Sequence, residues 1–240
     1  MVTTPETLDC ACVIHGTAYD WIYVQRLYNM LSRHLTPAIR LHVYTETDRP
    51  VPAPMIKHAL EDWGFSGPRR SWWYKLQLFD PAKHAGPLLY FDLDTVVVDN
   101  IDWIWQLPLN YFWTVQDFKY LWRPVHQSIN SSIMWWDTRK FDHVWNRFKS
   151  TDIHSIFRQY RGDQDFLNIA IADADRRYLD PKRVQSWRWQ CKDGGYDFAT
   201  RRYKTPNTGT FLSAETSVLI FHGKPKPNEI FDTVVLDHWQ

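Results

Sequence analysis

An apolar run that carries two aspartates, residues 88–98, constrains the fold of this chain more than any other feature. It reads Leu-Leu-Tyr-Phe-Asp-Leu-Asp-Thr-Val-Val-Val. Such a run is typical of a strand that is buried on both faces of a parallel sheet. Side chains two positions apart on a strand point the same way, so Asp92 and Asp94 would repel each other unless a proton or a cation intervened. The run predicts either a divalent metal site at the carboxyl end of a strand, or a strand that ends near Asp92 with both acids in a solvated turn.

Length and charge narrow the class of protein. The 240 residues suit one α/β domain that spans residues 1–240. With 28 Lys and Arg against 27 Asp and Glu, the formal net charge is +1. The composition therefore predicts no binding to nucleic acid or to an anionic membrane surface, and a small-molecule partner is expected.

The first residues and the thiols both indicate a cytoplasmic protein. The chain opens on polar residues without the apolar core of a signal peptide, and no later run approaches the roughly 18 apolar residues of a transmembrane helix. Cys10, Cys12 and Cys191 are odd in number, which fits reduced thiols. Cys10 and Cys12 have no partner pair at the spacing of a zinc site, so we expect them to pack in a strand.

Apolar periodicity predicts strands that alternate with helices, and hence a mostly parallel sheet. The predicted strands are residues 9–15, 39–44, 88–93, 112–116, 132–136 and 217–221. The predicted helices are residues 21–33, 55–63, 72–79, 101–106, 139–148 and 164–172. Residues 185–206 show no period and are expected to form a loop.

A polar turn follows the first predicted strand and contains His15, Gly16, Thr17 and Tyr19. Ligands of open α/β sheets bind at the carboxyl ends of strands, where Gly16 permits close approach of the backbone and Tyr19 offers a flat face for a base. A strand-to-helix turn with a glycine is also common without any ligand, so this segment alone decides little.

Two further polar segments lie at predicted element boundaries. Asn130 and Ser131 precede an apolar strand, where they can hydrogen-bond sugar hydroxyls or simply form a turn. Asp163 opens a predicted helix, so it is either an N-cap or a functional carboxylate.

The residues after the last predicted strand offer three kinds of ligand group. His222 carries an imidazole for a metal, Gly223 permits close approach, and Lys226 carries a cation for phosphate. The alternative interpretation is an ordinary solvated turn.

In their order along the chain, these segments resemble the nucleotide-sugar glycosyltransferases of the glycogenin and bacterial galactosyltransferase type, which have the GT-A fold. The similar segments are Lys75-Leu76-Gln77-Leu78-Phe79, Tyr90-Phe91-Asp92-Leu93-Asp94-Thr95-Val96 with Asn100-Ile101-Asp102, Ile129-Asn130-Ser131-Ser132, Gly162-Asp163-Gln164-Asp165-Phe166-Leu167-Asn168, and Gly223-Lys224-Pro225-Lys226-Pro227. In the same order, the matching family motifs are a basic residue, a DxD strand followed by Asn-Ile-Asp, the motif Phe-Asn-Ser-Gly, the motif Asp-Gln-Asp-x-Leu-Asn and the motif Gly-x-x-Lys-Pro. The similarity spans residues 9–227 and implies a single Rossmann-like GT-A domain with a mostly parallel central sheet flanked by helices.

The resemblance also implies an activity, that of a metal-dependent hexosyltransferase that retains anomeric configuration. It implies Mn²⁺ or Mg²⁺ on Asp92, Asp94 and His222, against the diphosphate of a UDP-sugar donor. The acceptor is expected to be a carbohydrate or a glycoconjugate. The residues implied around the donor are His15, Gly16, Thr17 and Tyr19 at uracil, Lys75, Asn130 and Ser131 at the sugar, and Gly223 and Lys226 at the phosphates. Asp163 and Gln164 are implied as catalytic residues beside the sugar.

Two positions depart from the family's pattern. The family's metal-binding His lies three residues before the glycine, which is Ile220 here, whereas His222 directly precedes Gly223. This change leaves the identity of the third protein ligand open. Ser132 replaces the family's usual glycine, which would narrow the donor-sugar pocket.

Two other functions fit parts of the sequence. A phosphohydrolase of the haloacid dehalogenase type also ends a buried strand in Asp-x-Asp-x-Thr, but Thr95 follows Asp94 one position early and the motif lies far from the N-terminus. A non-catalytic sugar-binding protein on the same fold is the other alternative. Metal-dependent UDP binding would distinguish the transferase from the phosphohydrolase. Hydrolysis of a UDP-sugar would distinguish it from the non-catalytic sugar-binding protein.

Overall fold

The computed structural model describes residues 4–64 and 71–240. Its strands are β1 (Thr7–Val13), β2 (Ala38–Thr45), β3 (Ile56–Ala59), β4 (Pro87–Phe91), β5 (Thr95–Val97), β6 (Phe112–Gln116), β7 (Ile129–Asp137), β8 (Arg176–Tyr178), β9 (Val184–Ser186), β10 (Tyr196–Asp197), β11 (Arg202–Tyr203) and β12 (Val218–Ile220). Its α-helices are α1 (Trp21–His34), α2 (Asp102–Trp105), α3 (Asp142–Ser150), α4 (Ile153–Gln159), α5 (Asp163–Ala170) and α6 (Thr233–His238). Shorter helical segments are the 3₁₀ helices Ser71–Phe79, Phe118–Leu121 and Pro227–Glu229, and the π-helix Trp187–Cys191.

The central sheet has seven strands in the order β3-β2-β1-β4-β7-β6-β8. Four of its neighbouring pairs are parallel, and only β7 runs antiparallel to both of its neighbours, β4 and β6. The predicted mostly parallel sheet is therefore confirmed. A second sheet has the order β5-β12-β9, and β10 pairs with β11.

The β4 strand is buried on both faces, as the apolar run predicted. Leu89 and Phe91 pack in the core that contains α1, whereas Leu88 and Tyr90 pack in the core that contains the 3₁₀ helix Ser71–Phe79, α3 and α5. Burial of both faces explains why this strand reads as a continuous apolar run rather than as an alternating one.

The apolar run forms two strands rather than one, which corrects the prediction. β4 ends at Phe91, and Thr95 begins β5, which pairs antiparallel with β12 in the second sheet. The strand does end before the acids, as the alternative held, but their surroundings are not those of a solvated turn. Asp94 is buried and Asp92 is partly buried.

Four other predictions differ from the structure. The helix predicted over residues 55–63 is wrong, because β3 pairs there in parallel with β2 at the edge of the sheet. Asn130 and Ser131 lie inside buried β7 rather than in a turn. The loop predicted over residues 185–206 contains part of β9, the π-helix, β10 and β11. The last strand, β12, lies in the second sheet instead of the central one.

The topology creates a crevice at the carboxyl edge of the central sheet. From β1 the chain moves outward to β2 and β3, and it then returns to form β4 on the other side of β1. Strand order thus reverses between β1 and β4, which is where ligands of open α/β sheets bind. The antiparallel β7 begins at this same edge, since Ile133 lies opposite Phe91.

Two further expectations concern the thiols and the helices. Cys10, Cys12 and Cys191, all in the described part of the chain, are buried free thiols. No helix within residues 4–64 and 71–240 has the length and apolar composition needed to cross a membrane.

Candidate functional site

Lys75 is the centre of a buried charge cluster at the carboxyl edge. Its ammonium group lies 2.6 Å from Asp92 Oδ1 and 3.7 Å from Asp163 Oδ2. It also donates a hydrogen bond to the Ser131 hydroxyl, which donates in turn to Asp163 Oδ2 at 2.6 Å. Tyr90 of β4 donates to Asp92 Oδ1. Four separate elements therefore meet around one cation.

Asp94 forms a second cluster, two residues along the chain. Its Oδ2 accepts a hydrogen bond of 2.9 Å from the Tyr19 hydroxyl and pairs closely with the Lys226 ammonium group. Lys226 lies 5.6 Å from the centre of the Tyr19 ring. Residues that follow β1, β4 and β12 are thus brought together.

Burial and charge set the ionisation of these groups. Burial and the neighbouring Asp92 carboxylate raise the pKa of Asp94, although Lys226 opposes the shift. Burial also raises the pKa of Asp163, and Lys75 opposes it. Although burial lowers the pKa of Lys75, the Asp92 and Asp163 carboxylates outweigh it and raise that pKa to about 12. The Lys75 ammonium group is therefore permanently charged at neutral pH.

The carboxylates have the chemistry of a site for a hard divalent cation. Asp92 Oδ2 and Asp94 Oδ1 accept no hydrogen bond from the residues that the structure describes. When all five groups are ionised, the two clusters carry one more negative than positive charge, which a bound cation would balance. Mg²⁺ and Mn²⁺ bind through one or two carboxylates together with substrate phosphates and water, so the two carboxylates are ligands of the type that such an ion takes.

His222 stands apart from the two aspartates. Its Nε2 lies 2.6 Å from the Ser186 hydroxyl, and its ring lies 4.1 Å from that of Trp189. Burial and the neighbouring Arg188 lower its pKa to about 4. In the described ranges, Asp92, Asp94 and His222 do not form a group whose ligand atoms all lie within 4.8 Å of one another. The family's position for this ligand, Ile220, is a buried residue of β12.

The turn after β1 lines a cavity together with Tyr74, the residue before Lys75. His15 stacks on Tyr74 with ring centres 3.9 Å apart, and both line a cavity of about 300 Å³ with Glu46 and Asp62. Gly16 has a φ of 69°, a conformation that favours glycine, and its N–H donates to Glu46. Thr17 is exposed. Tyr19 contacts Asp94 and does not line this cavity.

The remaining predicted residues lie in β7, at the start of α5 and after β12. Asn130 is buried, and its side-chain oxygen accepts the N–H of Ser132. Gln164 is half-buried in the first turn of α5. Gly223 follows β12 with a φ of 77°. Asp163 does not cap its helix, because Gly162 is the N-cap and no side chain caps it.

Sequence reasoning missed two residues of the site. Tyr90 was predicted only as part of a strand, yet its hydroxyl reaches Asp92. Arg188, from the π-helix, donates to the Lys224 carbonyl in the segment that follows Gly223. Alternation along β4 could have placed Tyr90 near the acids, whereas residues 185–206 offered no signal for Arg188.

Three of the solved structures that share this fold are glycosyltransferases. The galactosyltransferase LgtC with donor and acceptor sugar analogs matches with a TM-score of 0.64 and 15% identity, over 97% of this chain and 95% of that chain. GlyE of Streptococcus pneumoniae TIGR4 matches at 0.66 and 16%, over 98% and 60%, and the bifunctional WbbM matches at 0.65 and 14%, over 100% and 50%. This chain therefore spans nearly all of LgtC but only 60% of GlyE and half of WbbM. No protein-family model and no curated protein sequence matches it. The predicted GT-A fold is confirmed.

Proposed function

We propose that this chain is a metal-dependent glycosyltransferase. It would act as one catalytic domain in the cytoplasm and move a hexose from a UDP-sugar to a carbohydrate or glycoconjugate, with retention of configuration. The observation that carries the proposal is the pair of Asp92 and Asp94 at the crevice between β1 and β4, each with one oxygen that accepts no hydrogen bond from the described residues. The fold supports the reaction class, and the buried free thiols agree with a reducing compartment.

The diphosphate would lie between Asp94 and the segment after β12. Asp92 and Asp94 would hold Mn²⁺ or Mg²⁺, which when bound offsets the charge that develops on the departing diphosphate. Lys226 would exchange its carboxylate partner for a phosphate, and the Gly223 backbone would approach the same group. Because Lys226 lies against the Tyr19 ring, this exchange would also uncover a ring face on which uracil can stack. His15, Gly16 and Thr17 would border the nucleoside.

The sugar would lie beside the Lys75 cluster. Lys75 and Ser131 hold the Asp163 carboxylate in one position, from which it can orient a hydroxyl or stabilise positive charge at the anomeric carbon. Asn130 and Gln164 would contact sugar hydroxyls. Attack by a carboxylate and removal of the acceptor proton by the leaving phosphate are both compatible with retention.

A panel of UDP- and GDP-sugars tests the proposal. We expect the purified protein with Mn²⁺ to release UDP from one UDP-sugar, and we expect release to stop when the metal is chelated. UDP binding without any release would favour the non-catalytic sugar-binding protein. Hydrolysis of phosphate esters without UDP binding would favour the dehalogenase type, for which the structural comparisons give no support.

We expect His222→Ala to weaken metal-dependent UDP binding less than loss of either aspartate. His222 bonds to Ser186 and packs on Trp189 beside Gly223, so it would support the phosphate segment rather than hold the ion. Loss of such supporting contacts commonly costs about 10- to 100-fold in affinity. Calorimetry with UDP and Mn²⁺ measures the change. A loss as complete as that in Asp94→Asn would instead make His222 a metal ligand.

A further inference from the structure

A second group of metal-ligating side chains lies on the central sheet, away from the crevice. Asp9 on β1, His42 on β2 and His84 before β4 each present one ligand atom, and these atoms all lie within 4.8 Å of one another. Asp9 precedes the end of β1 by four residues, roughly 13 Å of strand. The group shares no residue with the proposed donor site.

The His42 and His84 rings are each held by a hydrogen-bond partner outside the proposed group of three ligands. His42 Nε2 lies 2.9 Å from Asp9 Oδ1, and its Nδ1 lies 2.8 Å from Nε2 of His58. His84 Nε2 lies 3.1 Å from the carbonyl oxygen of Pro87. A carbonyl only accepts, so the proton of a neutral His84 ring sits on Nε2 and Nδ1 keeps a lone pair. Metal-binding histidines almost always have such an outer partner.

The carboxylate of this group has one removable partner. Arg40 donates to both oxygens of Asp9 at 2.6 and 2.7 Å, but its own side chain is 55% exposed. Arg40 can therefore move into solvent or keep only Oδ2 when a cation takes Oδ1. His42, in contrast, is only 7% exposed, which protects a bound ion from water on that side.

We propose that Asp9, His42 and His84 bind Zn²⁺, with water as the fourth ligand and His58 as a hydrogen-bond partner of His42. Two imidazole nitrogens and one carboxylate oxygen are ligands that Zn²⁺ prefers over Mg²⁺. Tetrahedral bonds of about 2.0–2.2 Å place ligand atoms about 3.3 Å apart, so only small side-chain shifts are required. Zn²⁺ takes the lone pair of His42 Nε2, so the proton of the neutral ring lies on Nδ1 and is donated to His58 Nε2. When the ring starts doubly protonated, the Nε2 proton that faces Asp9 leaves to solvent. The ion would tie β1, β2 and the segment before β4 together.

Calorimetric titration of untagged, metal-stripped protein with ZnCl₂ tests the site. We expect one tight Zn²⁺ per chain and a higher melting temperature with Zn²⁺. His84→Gln should lower the affinity at least about 100-fold, because it removes a ligand. His154→Gln, an exposed histidine on α4, should bind as the wild type does. Asp94→Asn should also keep the tight site, which separates this result from any failure of the proposed donor site.

Co²⁺ provides a measurement that does not depend on a variant. Wild-type protein with one Co²⁺ should show the strong visible absorption of a tetrahedral ion, and Zn²⁺ should abolish it. The proposal is wrong if wild-type protein binds no Zn²⁺ tightly, if His84→Gln binds it equally well, or if Asp94→Asn removes the tight site.

Discussion

We expect Asp94→Asn to abolish metal-dependent binding of UDP while the apo protein stays folded. The substitution removes a carboxylate whose Oδ1 accepts no hydrogen bond from the described residues and which would hold the cation. Burial and Asp92 raise the pKa of Asp94, so the charged form is costly in the absence of metal and its loss should cost little stability. Calorimetric titration of UDP with and without Mn²⁺, together with the melting temperature, measures both effects.

Asp92→Asn should lose the same binding but should also destabilise the protein. Asp92 pairs at 2.6 Å with Lys75, which is only 8% exposed, so the variant leaves a buried cation with Asp163 as its charged partner. We expect a cost of at least about 2 kcal/mol in the free energy of unfolding. Asp99→Asn, an exposed residue of the same segment, is the control. Unchanged UDP affinity with Mn²⁺ in both Asp92→Asn and Asp94→Asn would refute the metal site.

The other large effect is expected for Asp163→Asn, which should lower transfer at least about 10²-fold and leave UDP affinity unchanged. The amide can still accept the Ser131 hydrogen bond, but it carries no charge to stabilise a positive anomeric carbon. The contact matters mainly as that charge develops, so kcat should fall rather than UDP binding. Steady-state transfer and UDP calorimetry on the same preparation measure the two quantities.

Asp165→Asn is the matched control for Asp163→Asn. Asp165 lies in the same helical turn, but it is exposed and its carboxylate accepts the N–H of Arg161. We expect near-normal transfer from this variant. Near-normal transfer in Asp163→Asn as well would mean that Asp163 only organises Lys75 and Ser131.

Elements with a strong apolar period could be predicted from the sequence, whereas those set by tertiary pairing could not. The strong period of α1 predicted its position to within a residue, and alternation predicted β6 correctly. The first two residues of β3 are exposed, so the segment lacks the alternation of a half-buried strand and also fits a helix. Its pairing with β2 makes it a strand. Buried strands of the two sheets have the same apolar composition. The sequence therefore could not show that the run at residues 88–98 divides into β4 of the central sheet and β5 of the second sheet.

The family resemblance grouped residues that the structure brings together. Lys75, Asp92, Ser131 and Asp163 come from distant positions and do meet, because a 3₁₀ helix, the end of β4, the start of antiparallel β7 and the start of α5 lie side by side. The shifted spacing of His222 left the third metal ligand open, and its role stays a prediction. Arg188 could not be found, since its place depends on where an irregular segment returns to the sheet.

The passage from β4 to β5 has a consequence for how the protein unfolds. Between Phe91 and Thr95 the chain leaves one sheet and enters the other, and Asp94 lies on that passage with partners that follow β1 and β12. The two sheets therefore cannot separate without dismantling the Asp94 cluster, and opening of the smaller sheet and loss of the site are one event. A ligand bound at the Asp94 cluster stabilises the folded state in which the two sheets are joined, by mass action. The two sheets should therefore unfold more cooperatively as the site is filled.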